Sequence, residues 1–348
     1  MTAYEWLIGA WTIFLVYCIG FYYAVVEFFR DRFSNPNQSY MEHLQTETER
    51  SQFRRSSIAR RYPTAVVTGA SGTIGVEIVR SLLKLGYRVE ALAREEGLLL
   101  MLKDERLSVH ILDMADLKKV KNIAEEIVTN APEGIDLVIC CAGVMLHPYE
   151  VGVSGHEQHM AVNVLSHALL VDVILSQMHH MQHLVRVVFV SSSTAHTVRI
   201  DADALSNADF FARYINGYHA YAISKLTLAL YAEELNRHLE EKICADFEGD
   251  VERCSVKVCS VHPGCVPGDL YRNVFHPCRI LINQILAPFM RKGEVAAAEV
   301  IATVMSDHLK GGTYYEHMEP VPLRPDISNT VRQQLFIRIQ QTIRKLLD

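Results

Sequence analysis

Hydrophobic and polar positions divide the chain into three stretches. The first is apolar. From Trp6 to Val26 there is no charged residue, and the run is bounded by Glu5 and Glu27. At about 1.5 Å per residue it matches a bilayer core of about 30 Å. Trp6, Trp11, Tyr22 and Tyr23 lie toward its ends, as in an aromatic belt. The pattern predicts a transmembrane helix within residues 1–30. A cleaved signal peptide fits less well, because no basic segment precedes the run, the run is too long and no small-residue cleavage site follows. A buried helix of a soluble domain seldom carries so long an uncharged run. No Lys or Arg precedes the span, whereas Arg30, Arg32, Arg50, Arg54, Arg55, Arg60 and Arg61 follow it. The positive-inside rule therefore places the C-terminal side in the cytosol. Residues 31–61 turn polar, with "FSNPNQSY", and read as a linker.

From residue 62 the pattern alternates between strand-like and helix-like segments. "TAVVT" is a short β-rich run. Glycines follow at 69, 72 and 75, and Ile74, Ile78, Leu82 and Leu85 then recur at helical spacing before "YRVEALA" resumes a strand. This is a βαβ unit. "SVHILDMAD", "GIDLVICCAGV" and "RVVFVSSSTAH" supply further strands. Leu228, Ala232, Leu235 and Leu239 form one stripe of a long helix. The alternation predicts an α/β fold, a doubly wound parallel sheet of about seven strands, over residues 62–320. Val331, Leu335, Ile339 and Ile343 make the stripe of an amphipathic helix within residues 321–348, placed either on the domain or on a membrane.

Composition narrows the function only by exclusion. A net charge of −6 over 348 residues, with no basic patch interleaved with aromatics, gives no sign of a nucleic-acid partner. The eight cysteines form no C-x-x-C pair. Cys140 and Cys141 are adjacent on a strand and face opposite ways, which argues against a disulfide between them. Free thiols in a reducing compartment are expected. His147, His156, His159, His167, His179, His180 and His183 crowd the middle of the chain without a zinc spacing, so no metal is expected.

Two local patterns carry chemistry. Gly69, Ser71, Gly72, Thr73, Ile74 and Gly75 lie between a strand and a helix, where glycines admit a pyrophosphate to the helix N-terminus. "HAYAISKLTLAL" places Tyr221 and Lys225 four residues apart on one helical face. A free tyrosine titrates near ~10, too high for a good base at neutral pH, and a neighbouring ammonium lowers that value. Tyr218 has no lysine four residues on.

The glycine spacing T-G-x-x-x-G-x-G resembles the short-chain dehydrogenase/reductase family, and the resemblance continues in order along residues 62 to 275. "CCAG" matches the family's N-N-A-G strand end, with Cys140 and Cys141 in place of both asparagines and Ala142 and Gly143 kept. Asn163 in "HMAVNVLSHALL" matches the helical asparagine. "SSS" matches the serine strand, "YAISK" the tyrosine and lysine, and "HPGCVPGDLY" the P-G segment. The resemblance implies a Rossmann-like fold and a nicotinamide cofactor. It implies Tyr221 as acid/base, Lys225 as its tuning group and ribose ligand, and Asn163 as support for a water relay. Aligning from "RVV" makes Ser192 the serine that polarises the substrate oxygen, and aligning from "AH" makes it Ser193; Ser192 is preferred. Pro263, Gly264 and Val266 would border the nicotinamide, though Gly268 stands where many members have threonine. At the end of the second strand Arg94 replaces the acid of NAD-preferring members. NADP is therefore expected and NAD is the alternative, given Glu95 and Glu96. Asp113 would sit by the adenine.

The apolar segment "RNVFHPCRILINQILAPFMRK" reads as a lid or a greasy entrance. With "PGCVPGDLY" and "GGTYYE" it resembles the retinol dehydrogenase-like branch, including members that act on polyprenols. That resemblance implies an enzyme of the endoplasmic reticulum membrane, single-pass and facing the cytosol. The implied substrate is a hydrophobic alcohol or aldehyde, polyprenol and polyprenal or dolichal and dolichol, with retinoids or steroids as rivals. It allows a homodimer. A non-catalytic nicotinamide-binding scaffold is the rival of another class.

Overall fold

A computed structural model of the chain describes residues 3–33, 62–176, 184–206, 210–246 and 256–347. The linker reading from residue 34 onward, Arg50 to Arg61, His179, His180, His183 and Cys254 lie outside the described residues, as does the side chain of Cys244. All six cysteines described are free.

Helix α1 spans Ala3–Phe33, so it runs three residues past the expected anchor. By length and composition it is a candidate membrane span. Strand β1 (Thr64–Thr68) leads through the glycine turn into α2 (Thr73–Lys84), then β2 (Arg88–Ala93) and β3 (Leu107–Ile111). Helix α3 (Leu117–Asn130) starts at Asp116, whose side chain accepts the Lys119 N–H at 3.1 Å. Next come β4 (Leu137–Cys140), α4 (Gln158–Ser176), β5 (Val185–Val190) and α5 (Gly217–Asp246). Then follow β6 (Val256–His262), α6 (Gly293–Met305), β7 (Tyr314–Glu316), β8 (Glu319–Pro320) and α7 (Asn329–Leu347). Between β6 and α6, residues 269–289 form short 3-10, α and π turns.

The sheet has eight strands in the order β3-β2-β1-β4-β5-β6-β7-β8 rather than about seven. Seven are parallel. The extra one is the two-residue β8, which pairs antiparallel with β7, with Tyr315 opposite Pro320. Periodicity does not register a strand of two residues, because alternation needs about four. The parallel strands are buried on both faces, which is why β1 is buried at every position. Helices α2 and α6 close one face around Ile78, Leu82, Val300 and Ile301. Helices α3, α4 and α5 close the other around Val164, Leu169, Leu226 and Leu230. Helix α4 is apolar enough to cross a membrane, but its burial makes it a core helix. Helix α7 buries Val331, Leu335, Ile339 and Ile343 against the domain. Its apolar stripe is spent on packing, so the membrane alternative for this helix does not hold.

Strand order reverses between β1 and β4. In open parallel sheets that divergence leaves a crevice beyond the carboxyl ends of the strands. Residue 69 turns the chain there at φ +64°, and a Cβ would stand 2.6 Å from the Ala142 Cα, so only glycine fits.

Candidate active site

The crevice holds a cavity of about 800 Å³. All residues expected to hold the cofactor border it: Gly69, Ser71, Gly72, Thr73, Ile74, Gly75, Arg94, Asp113, Ala142, Gly143, Tyr221, Lys225, Pro263, Gly264 and Val266. Ser192 borders it too. Asn163 does not; it lies behind Gly143, where its Oδ1 and the Lys225 Nζ would stand 3.5 and 3.4 Å from a Cβ.

Tyr221 and Lys225 are both buried, on the first turns of α5. The Lys225 Nζ donates to the Val190 carbonyl at 2.7 Å and stands 5.9 Å from the Tyr221 ring centroid. Burial pushes Lys225 down to about 8. Burial also pushes Tyr221 up to about 12, partly offset by a hydrogen bond from Ser192. The expected lowering of the phenol by Lys225 is not found in the chain itself: desolvation of the tyrosinate dominates, and the group that lowers the phenol is Ser192. At neutral pH the phenol is protonated.

The three consecutive serines have separate roles. The Ser191 hydroxyl donates to the Lys225 carbonyl at 2.8 Å and braces α5. Ser192 meets Tyr221, and its oxygen accepts from the Thr194 N–H at 3.2 Å and the Thr194 hydroxyl at 3.0 Å. Ser193 starts a 3-10 turn. Extended backbone at Ser192 points neighbouring side chains apart, and Ser192 is the one brought to the tyrosine.

Asn163 sits where α4 widens into a π turn, Ala161–Leu165. Its Oδ1 accepts the Val144 N–H at 2.9 Å, and its Nδ2 donates to the Val144 carbonyl and the Ser224 hydroxyl. The side chain splints the strand end after β4 to α5. Its backbone carbonyl accepts from His167 Nδ1 at 3.1 Å. His167 Nε2 is 2.9 Å from the Thr68 hydroxyl, which accepts the Ala142 N–H at 3.0 Å. Because a carbonyl only accepts, His167 carries its proton on Nδ1 and takes the Thr68 hydroxyl proton on Nε2. Burial holds His167 neutral, down to about 3. This Thr68–His167 link ties β1, β4 and α4 together where the family's asparagines are replaced by Cys140 and Cys141. The histidine count alone did not reveal it.

At the other end of the cavity two guanidiniums border the space beside Asp113: Arg94 and the unforeseen Arg272. Burial lowers Arg272, and the Arg94 charge lowers it further. Two cations facing one space fit a phosphate. The glycine turn, this pair and the Tyr221–Lys225 face all border the one cavity, as binding of a nicotinamide dinucleotide requires. Gly268, at φ +147°, has no room for the family threonine, because a Cβ would lie 2.1 Å from the Thr73 Oγ1. Thr73 fills the space, and the Gly268 N–H donates to Asn283 Oδ1 at 3.1 Å.

A buried polar network backs the P-G segment. Arg291 donates to the Pro263 carbonyl at 3.1 Å, to Asp31 at 3.2 Å and to Glu299 at 2.8 Å. Burial alone would raise Glu299, but His317 and Arg291 hold it at about 2. Glu27, His262 and Cys265 are the one group among the described residues whose donor atoms lie close enough for a metal, within 4.8 Å. Glu27 already accepts the Cys265 N–H, and Arg291 is a close cation, so the carboxylate serves the ion-pair network.

Comparison with known proteins agrees with this arrangement. The short chain dehydrogenase family model matches residues 63–208. Human retinol dehydrogenase 12 is 28% identical over 274 residues, 76% of this chain and 80% of that protein. Human polyprenol dehydrogenase is 26% identical over 287 residues, 78% of this chain and 82% of that protein. The solved NADP active-site complex of Pseudomonas aeruginosa RhlG shares the fold, with a TM-score of 0.53 at 20% identity, over 73% of this chain and 94% of that one.

Proposed function

This chain is an oxidoreductase built on a short-chain dehydrogenase domain, and on that footing we propose that it interconverts a long hydrophobic alcohol and its aldehyde. Polyprenol with polyprenal, and dolichal with dolichol, are the preferred pairs. NADP(H) is the preferred cofactor, and the site of action is the cytosolic side of the endoplasmic reticulum membrane. The carrying observation is the placement of Tyr221, hydrogen-bonded by Ser192, on a cavity whose outer wall is apolar.

A bound nicotinamide supplies the hydride donor or acceptor and, when oxidised, a positive charge. The chain supplies the rest. Ser192 holds the substrate oxygen. Tyr221, protonated at rest, gives its proton to a carbonyl oxygen in reduction and takes the hydroxyl proton in oxidation. Lys225 keeps a cation beside the phenol and presents donors to a ribose. Asn163 and His167 fix the strand end on which Gly143 stands. Arg94 and Arg272 support a 2′-phosphate. The apolar wall formed by Phe21, Val25, Leu286 and Phe289 supports a hydrophobic substrate.

The test is a panel in detergent: polyprenol, dolichal, retinal and a 3-ketosteroid, each with both cofactors, on the wild-type chain and Tyr221→Phe. Turnover of the isoprenoids, lost in Tyr221→Phe with cofactor binding kept, is expected. Activity on the steroid alone refutes the substrate. An unchanged cellular role in Tyr221→Phe favours a scaffold.

A further inference from the structure

Helix α1 does not stand away from the domain. Glu5, Gly9, Thr12, Tyr23, Glu27 and Asp31 fall on one face of it. Along that face the helix meets Arg213 (3.9 Å from Glu5), Asn216, Glu316 (hydrogen-bonded by Tyr23) and Arg291. At Gly9 the approach is so close that a Cβ would stand 2.6 Å from the Asn216 Nδ2. Beside this face, Tyr17 and Tyr218 share a hydrogen bond at 2.8 Å. From Glu5 to Asp31 the axis runs about 39 Å, the whole thickness of a bilayer core and more. A helix packed this way cannot cross hydrocarbon without taking Arg213, Asn216, Glu316 and the domain surface around them with it, and charged groups are costly to place in hydrocarbon even when paired.

The opposite face is apolar and exposed: Leu7, Trp11, Phe14, Phe21, Val25 and Phe29 recur at helical spacing. It adjoins a second exposed apolar element. The Phe28 and Phe289 rings are 5.9 Å apart, and Phe275, Leu281, Ile285 and Leu286 are exposed alongside. The cavity is walled by both, by Phe21 and Val25 from α1 and by Leu286 and Phe289 from residues 281–289.

We infer that α1 lies along the membrane rather than through it. The protein is monotopic: the outer face of α1 and residues 275–289 sit in one leaflet, and the cavity mouth between them opens into lipid. The occupant of this apolar face is a lipid surface, because the face is continuous with the mouth of the cavity; a second copy seated there would close the entrance. The inference concerns topology and stands whatever alcohol the enzyme takes.

Three measurements on the full chain test it. With an epitope tag at each end, protease added to sealed microsomes should treat both ends alike; opposite fates show a spanning helix and overturn the proposal. The Gly9→Cys/Asn216→Cys pair should close under mild oxidation in membranes, and failure to close in a chain that still binds cofactor overturns the packing. The purified protein should float with phosphatidylcholine vesicles, with at least tenfold less bound for Trp11→Glu/Ile285→Glu. Undiminished flotation of that variant, or none for the wild type, overturns the lipid contact.

Discussion

Glu27 on the N-terminal helix accepts a hydrogen bond from the backbone N–H of Cys265 at 2.8 Å, across 238 positions of sequence. Cys265 follows Pro263 and Gly264, so a residue of the supposed anchor holds the loop expected to border the nicotinamide. Glu27→Ala leaves that N–H buried without its acceptor and removes a negative charge beside Arg291. An unmet buried donor costs about 1–3 kcal/mol. The variant should unfold at lower temperature in detergent and show a raised KM for the cofactor, and Glu27→Gln should recover part of both.

The two rival serines separate by mutation. Ser192 meets Tyr221, whereas Ser193 opens a turn. Removing one donor to a developing oxyanion costs about 10²–10³ in kcat. Ser192→Ala should lose about that much, and Ser193→Ala should stay within about threefold. The reverse order in steady-state kinetics moves the catalytic role to Ser193.

Cofactor preference should rest on two arginines rather than one. Arg94→Ala and Arg272→Ala should each raise the KM for NADPH about tenfold or more, equivalent to about 1.4 kcal/mol, and change that for NADH little. Equal losses with both cofactors assign the pair to the shared pyrophosphate instead.

His167 makes stability depend on pH. Its value in the folded chain, about 3, lies below the usual 6.5, so folding favours the neutral ring. The contribution is fully present above pH 6.5 and is lost as pH falls from there toward 3, because the unfolded chain binds the extra proton. Between pH 7 and 5 it amounts to about 2 kcal/mol. His219, held at about 4 by burial, acts in the same direction. Thermal unfolding should drop on acidification, and His167→Gln should flatten the slope while lowering the plateau. An unchanged slope shows that His167 is not neutral and buried as described.

Much of this protein is local and could be read from the chain alone. The strand–glycine–helix alternation from Thr64, the Tyr221–Lys225 face and the stripe of α7 are periodic patterns within one element, set by backbone geometry. Their order supplied the fold and the cavity-bordering residues. Even Arg94 stood out, because its position follows from counting along one strand. Tertiary structure alone decided which groups meet across the chain. It brought Arg272 to Arg94, joined Thr68 to His167 in place of the family's asparagines, and let Thr73 fill the space that Gly268 leaves. It also laid α1 along the domain. An uncharged run of 21 residues states only that one face or all faces avoid water. Which of these holds depends on whether distant polar groups, here Arg213, Asn216, Glu316 and Arg291, rise to meet Glu5, Gly9, Tyr23 and Asp31. Such pairings are energies between surfaces, and no period within the helix encodes them.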